Sequence, residues 1–137
     1  MRLTIALCAT AAALATAGCG GLRAADLFVV ERSGTGPGAR LTLLVNEEGA
    51  VHCNGAPAGK LVDSQIVRAR AIQEDLHGAA SSHLSLPPRT GSVLSYYLRD
   101  PDGAVRFSDN STGQPAVLRE LALFVLQTSQ QLCHLSR

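Results

Sequence analysis

The chain has 137 residues, with 12 Lys and Arg against 11 Asp and Glu, and a formal net charge of +1. This balance excludes the strongly positive surface that a nucleic-acid-binding protein needs, and equally an acidic solvating tail. The length suffices for one small domain with a single core, and three Phe, two Tyr and no Trp leave few rings for stacking on sugars or bases.

The N-terminus predicts a secretory signal. A single basic residue, Arg2, precedes an apolar, alanine-rich run over residues 3–17, and the small residue Gly18 follows it. This order is typical of an export signal, and the run is too short and too rich in alanine for a comfortable membrane-spanning helix. Without residues 1–18 the acidic and basic residues are equal in number, so attraction to anionic lipid need not be invoked.

The end of this signal, Leu14-Ala15-Thr16-Ala17-Gly18-Cys19, resembles the lipobox of bacterial lipoproteins. The resemblance implies that residues 1–18 are removed, that Cys19 is acylated, and that the protein is anchored in the cell membrane facing outward. Residues 19–25 would then be the acylated Cys and a tether, which at about 3.3 Å per residue keeps the domain at residues 26–137 within roughly 20 Å of the membrane. The alternative is an ordinary signal cleaved nearby, with Cys19 incidental.

The remaining cysteines predict one disulfide. Cys8 leaves with the signal and Cys19 takes lipid, so Cys53 and Cys133 remain as a pair in an oxidising compartment. Two alternatives stay open, free thiols and a zinc site completed by His52 and His134. Zinc is disfavoured because neighbouring strand residues point to opposite faces and no Cys-x-x-Cys spacing is present.

The first half of the domain predicts three strands and a helix. Residues 26–32 are a β-rich run that ends in a loop of turn formers: Ser33, Gly34, Thr35, Gly36, Pro37 and Gly38. Residues 40–46 and 50–54 alternate as two further strands, and residues 54–60 read as a loop. Asp63 is expected to cap a helix over about residues 64–77 that ends at Gly78, with one apolar stripe: Ile66, Ala69, Ile72 and Leu76.

The second half predicts two strands and a helix after a polar loop over residues 79–92. Strands over residues 93–99 and 104–108 flank Asp100-Pro101-Asp102-Gly103, which is typical of a type I turn. Pro115 is placed in the first turn of a helix that runs to about Cys133, with an apolar stripe: Leu118, Leu121, Val125, Thr128 and Leu132. The order β-β-β-α-β-β-α predicts an α+β fold, with about five antiparallel strands and both helices on one face.

Several residue groups suggest chemistry but have simpler explanations. Gly34, Gly36 and Gly38 fit neither phosphate-binding pattern, and no G-x-S-x-G or S-x-x-K motif is present. Four residues with oxygen ligands lie close together in the sequence, but the twelve-residue calcium-binding pattern is absent around them. Surface positions are expected for His77, His83 and the pair Glu47-Glu48. The four oxygen ligands are Asp100, Asp102, Asp109 and Asn110. The sequence therefore predicts no catalytic residue, no metal site and no cofactor.

Residues 26–132 contain Val30-Glu31-Arg32-Ser33-Gly34, then a helix, a Tyr-containing strand, an Asp-Gly turn, a returning strand, and a final helix beginning Pro115-Ala116-Val117-Leu118. This layout resembles that of the emfourin-like inhibitors of bacterial metallopeptidases. The resemblance implies a small α+β fold that binds a protein partner. It assigns no contact residue, because the chain has Gly34-Thr35-Gly36-Pro37 where the family tends toward two glycines and an aromatic.

The sequence thus favours an exported, lipid-anchored binding domain of the cell envelope that is not an enzyme. The second hypothesis is an inhibitor of a secreted peptidase, with the loop from Ser33 to Gly38 as its contact surface. The expected partners are the membrane, through Cys19, and a peptidase or another envelope protein, but no nucleic acid.

Overall fold

The computed structural model describes residues 25–135. The predicted signal, Cys19 and all of the tether except Ala25 lie outside the described residues. The described part contains six strands and two helices: β1 (Asp26–Gly34), β2 (Leu41–Asn46), β3 (Ala50–Cys53), β4 (Ala56–Lys60), α1 (Asp63–Ser81), β5 (Leu94–Asp100), β6 (Gly103–Ser108) and α2 (Ala116–Gln131). No helix among residues 25–135 is both long and apolar enough to cross a membrane.

The strands form one antiparallel sheet in the order β4-β3-β2-β1-β5-β6, so the predicted α+β class is confirmed with one strand more than expected. The alternating residues of each central strand are buried on the face that the helices cover, as the period of two predicts. In β2 these are Leu41, Leu43 and Val45, all at most 3% exposed. The rings of Phe28 in β1 and Phe124 in α2 meet edge to face at 5.9 Å between centroids, in the middle of this core.

The additional strand corrects the prediction that residues 54–60 are a loop. Asn54 and Gly55 have φ angles of 52° and 82°, and this left-handed pair joins β3 to β4 as a tight hairpin. Pro57 and Gly59 concealed the strand in the sequence. They are tolerated because β4 lies at the edge of the sheet, where fewer N–H groups need partners.

The ends of α1 also differ from the prediction. Asp63 is not the cap but the first helical residue, after Val62, and the side chain of Gln65 accepts a hydrogen bond from the Val62 amide at 3.3 Å. Gly78 does not end the helix. The helix continues to Ser81 because Ala80, which is fully buried, still packs against the sheet.

The helix α2 begins at Ala116, directly after Pro115, and ends two residues before Cys133. Four members of its predicted stripe are buried, namely Leu118, Leu121, Val125 and Thr128, whereas Leu132 is half-buried beyond the helix end.

Part of the predicted loop over residues 79–92 lies along β6 and covers that edge of the sheet. Beyond the end of α1, the amide of Arg106 donates to the Leu84 carbonyl at 2.9 Å, and the amide of Leu86 donates to the Arg106 carbonyl at 2.8 Å. The hydroxyl of Ser111 then donates to the Pro87 carbonyl at 2.9 Å. These bonds fix the segment beside β6, where it becomes one wall of the groove described next.

Candidate functional site

The sheet face that the helices leave uncovered carries a polar groove of about 640 Å³. It lies over β1, β2, β5 and β6, with the segment at Pro87 and Pro88 as one wall. We call this cavity the polar groove. Its side chains are outward members of the strands together with Arg40 before β2: Glu31, Ser33, Arg40, Thr42, Ser95, Tyr97, Arg106 and Ser108.

Tyr97 forms the centre of the polar groove. The guanidinium carbon of Arg106 lies 3.8 Å from the centroid of the Tyr97 ring, and that of Arg99 lies 5.7 Å from it. Both arrangements are within the range of cation–π attraction. The three residues meet because Tyr97 pairs with Arg106 across β5 and β6, while Arg99 follows two positions later on the same face.

The charge balance of the polar groove is positive. Among the described residues that line it, the acidic side chain is Glu31, which accepts a hydrogen bond from Arg99 at 2.8 Å and is thereby neutralised. Arg40 and Arg106 form no ion pair with any of residues 25–135. The groove therefore presents an aromatic ring with two free cations, which suits an acidic or carbonyl-rich segment of a partner.

The segment from Ser33 to Gly38 borders this face, but it is not a loop throughout, because Ser33 and Gly34 extend β1 and pair with Ser95 and Leu94 of β5. A buried cation holds the end of this segment. Arg32 is 6% exposed, and its Nε and Nη2 donate to the carbonyls of Ala39 and Gly38 at 3.1 and 2.8 Å. The Thr35 amide donates to the Val93 carbonyl at 3.2 Å, which fixes the other side of the loop. The φ angles of 97° at Gly36 and 71° at Gly38 explain why glycine occupies both positions.

The predicted disulfide is present between Cys53 and Cys133, whose Cα atoms lie 5.8 Å apart. It joins the end of β3 to the residues that follow α2. A zinc site on these two cysteines is excluded, because both sulfur atoms are bonded to each other. No group of three or more potential metal ligands occurs within residues 25–135.

The oxygen ligands that suggested calcium lie at opposite ends of the hairpin formed by β5 and β6. Asp100 closes the turn, since its Oδ1 accepts from the amides of Asp102 and Gly103, both at 2.9 Å. Burial raises the pKa of Asp100 despite these two bonds. Asp109 and Asn110 follow the other end of β6.

Asp109 holds the chain where it enters β5. Its carboxylate accepts hydrogen bonds from the Ser92 hydroxyl at 2.9 Å and from the Val93 and Leu94 amides at 3.1 and 3.2 Å. Partial desolvation raises the pKa of Asp109, but these hydrogen bonds together outweigh it and bring the pKa below its usual value.

The histidines that flank the predicted loop lie on the surface. Nδ1 of His77 is 3.1 Å from Oδ2 of Asp102, and 68% of the His77 side chain is exposed. His83, also exposed, has a φ of 52° just after α1. Neither His77 nor His83 belongs to the described residues that line the polar groove.

The sequence did not single out Tyr97, Arg99 and Arg106 as site residues. A signal was present in the alternation of β5, where Tyr96 and Leu98 point inward, so that Ser95, Tyr97 and Arg99 must share the outer face. The position of Arg106 beside Tyr97 depended on the hairpin register, and that register follows from the turn.

Comparison with known proteins gives no match. No family model fits the chain, and no curated protein or solved structure is similar to it at a significant level.

Proposed function

We propose that the protein is an exported, non-enzymatic binding domain of the bacterial cell envelope, anchored through acylated Cys19, and that it holds a partner protein in the polar groove. The observation that carries the proposal is the uncovered sheet face, where Tyr97 and Arg106 line a cavity of about 640 Å³ and the guanidinium of Arg99 lies 5.7 Å from the Tyr97 ring centroid. Aromatic and Arg side chains are the types enriched at the centres of protein interfaces. The lipobox at residues 14–19 supports the anchor.

Cell fractionation tests the anchor. Cys19→Ala removes the acyl acceptor, and we expect the protein to move from the membrane to the medium, because only two or more acyl chains hold a protein stably in a bilayer. Cys8→Ala is the matched control, since it changes a cysteine within the same signal and should leave the protein in the membrane. An unchanged distribution of Cys19→Ala would refute the anchor.

Crosslinking in intact cells tests the groove. A photo-crosslinking residue replacing Tyr97 should join the protein to an envelope partner, whereas the same residue replacing Leu123 should not. Leu123 is 47% exposed and lies on α2, on the opposite side of the sheet, which makes it a suitable control. The same products from both positions, or none from Tyr97, would contradict the groove as the binding surface.

A second candidate function is inhibition of a secreted metallopeptidase by the loop from Ser33 to Gly38. The observation in its favour is the double attachment of this loop, through Arg32 and through Val93. A loop that is fixed before binding loses less conformational entropy when a partner binds it, a property that favours tight inhibition.

An inhibition assay separates the two functions. Micromolar protein should slow a secreted metallopeptidase, and Pro37→Asp should weaken this effect by placing a charge in the loop. Pro57→Asp in β4 is the matched control, because Pro57 is also exposed but lies elsewhere. Unchanged peptidase activity at this concentration would remove the inhibitor hypothesis.

A further inference from the structure

A second cavity, of about 290 Å³, lies between the loop from Ser33 to Gly38 and the C-terminal end of α2. Its lining is mostly apolar, with Pro37, Val93 and Leu94 on one side and Leu126 and Leu135 on the other, and it also includes Thr35 and Ser129. The charged residue among its lining residues is Arg32. We call this cavity the Arg32 pocket.

Arg32 is unusual because it is a buried cation without an anionic partner in the described part of the chain. Only 6% of it is exposed, and it belongs to none of the ion pairs of residues 25–135. Two of its nitrogen atoms, Nε and Nη2, bond to carbonyl groups, whereas Nη1 bonds to no atom of residues 25–135. Nη1 is not among the buried side-chain atoms of residues 25–135 that lack a partner, so it stays accessible to water or to a ligand.

Asp109 does not neutralise the charge of Arg32. Its oxygens bond to Ser92, Val93 and Leu94, and it forms no ion pair with Arg32. The Arg32 pocket therefore combines mostly apolar walls with a cation that forms no ion pair with any carboxylate of residues 25–135.

From this geometry we propose that the Arg32 pocket binds a small amphiphilic carboxylate, with its carboxylate on Arg32 and its alkyl chain between Leu126 and Val93. Guanidinium and carboxylate form short, charge-assisted hydrogen bonds, which gain strength away from water. If a methylene group occupies about the same room as a water molecule, roughly 30 Å³, the cavity holds about ten heavy atoms. Octanoate has this size.

The lining also connects this ligand to the loop. Thr35, Pro37, Gly38 and Ala39 line the Arg32 pocket, and the carbonyls of Gly38 and Ala39 accept the hydrogen bonds of Arg32. A bound carboxylate would share the guanidinium with the two carbonyls that fix the loop. Occupancy is therefore expected to change the amide signals from Ser33 to Gly38 as well as those of Leu126 and Leu135.

Titration with octanoate, followed by NMR, tests the proposal. The full chain carrying Cys19→Ala is used, so that no detergent competes for the probe. We expect saturable shifts at Leu126, Leu135 and Val93 below about 1 mM octanoate, and binding of octanol weaker by about tenfold or more. Acetate, which has the charge without the chain, should cause no saturable shift in this range.

Two variants of α2 provide the matched comparison. Leu126→Trp fills the pocket while Arg32 stays in place, and it should abolish octanoate binding. Leu123→Trp adds the same side chain on the exposed side of the same helix and should leave binding unchanged. Equal affinities for octanoate and octanol, no saturable shift, or binding that survives Leu126→Trp would each overturn the proposal. Binding that appears only after removal of Ser136 and Arg137 would also overturn it.

Discussion

The buried residue Arg32 shows how a single side chain can organise a surface. Arg32 is the seventh residue of β1 and points to the helix-covered side, yet its guanidinium turns to the carbonyls of Gly38 and Ala39. The exposed loop above it is thereby held in one conformation. Neither bond is visible in the sequence, where Arg32 reads as the polar end of a strand.

We expect Arg32→Leu to release this loop. Loss of two charge-assisted hydrogen bonds leaves the Gly38 and Ala39 carbonyls without donors, at a cost of about 1–3 kcal/mol in unfolding free energy. Hydrogen exchange of the amides from Ser33 to Gly38 should accelerate. Arg40→Leu, at an exposed position nearby, should change neither quantity, and equal exchange in both variants would contradict the role of Arg32.

Asp109 gives the protein a pH dependence with a defined sign. Its pKa in the folded protein lies below the ordinary value of 3.8, so it stabilises the fold above that pH. The contribution is lost as the pH falls through the lower pKa of the folded state. Asp109→Asn should reduce stability at pH 7 by about 1 kcal/mol or less, because Asp109 is exposed.

Denaturation of both proteins across the acid range measures this effect. The difference between Asp109→Asn and the unsubstituted protein should shrink toward zero as the carboxylate becomes protonated. A constant difference at every pH would show that the charge of Asp109 is not responsible.

At the scale of elements, the contact between α1 and the hairpin of β5 and β6 depends on one glycine. Gly103 has a φ of 155°, and a Cβ atom there would collide with the backbone carbonyl of Ala80 near the end of α1. The helix can therefore dock closely only against a residue without a side chain. This contact also brings His77 to Asp102.

We expect Gly103→Ala to lower the unfolding free energy by about 1–3 kcal/mol, because the helix end must move. Gly113→Ala is the control, since Gly113 also has a positive φ, 71°, but no atom within 4 Å of an added Cβ. It should cost only the backbone strain, about 1 kcal/mol. Equal melting temperatures for the two variants would contradict the close packing at Gly103.

The disulfide is a second close contact between elements. It connects β3 with the chain after α2 across 80 residues of sequence. Restricting the unfolded chain over such a loop corresponds to about 4–5 kcal/mol in the chain-entropy treatment.

The double variant Cys53→Ser/Cys133→Ser should therefore lose up to about 4 kcal/mol in denaturant unfolding. Reduction of the unsubstituted protein should produce a similar loss, which separates loss of the crosslink from the effect of serine side chains. Identical midpoints before and after reduction would show that the bond does not stabilise the fold.

At the scale of the whole molecule, the sheet has two different faces. One is covered by α1 and α2 and contains the core, and the other carries the polar groove with Tyr97, Arg40 and Arg106. An antiparallel sheet tolerates this asymmetry because alternating side chains separate apolar from polar residues. The uncovered face is consequently a polar surface that a partner can reach.

Charge reversal tests the role of that face. Arg106→Glu replaces a groove cation with an anion beside Tyr97, and it should abolish crosslinking of an acidic partner through position 97. Its effect on stability should stay below about 1 kcal/mol, the usual range of an exposed cation–π contact. Arg119→Glu on α2 makes the same charge change on an exposed part of the opposite side and should leave crosslinking intact.

The sequence alone determined the class of the fold, the positions of most elements and the disulfide. A strand period of two is visible at Leu41, Leu43 and Val45, and a helical period is visible at Leu118, Leu121 and Val125. These local patterns determine which face of each element is buried. The pairing of Cys53 with Cys133 was predicted by assigning Cys8 to the expected signal and Cys19 to lipid, and the structure contains this bond.

Tertiary structure decided the features that depend on distant neighbours. The strand β4 exists because β3 offers it a partner at the sheet edge, and α1 passes Gly78 because Ala80 finds a place in the core. The polar groove and the Arg32 pocket likewise require residues from several strands and from α2. Periodicity assigns a side chain to a face, but only packing determines what lies opposite it, and both cavities are made by such packing.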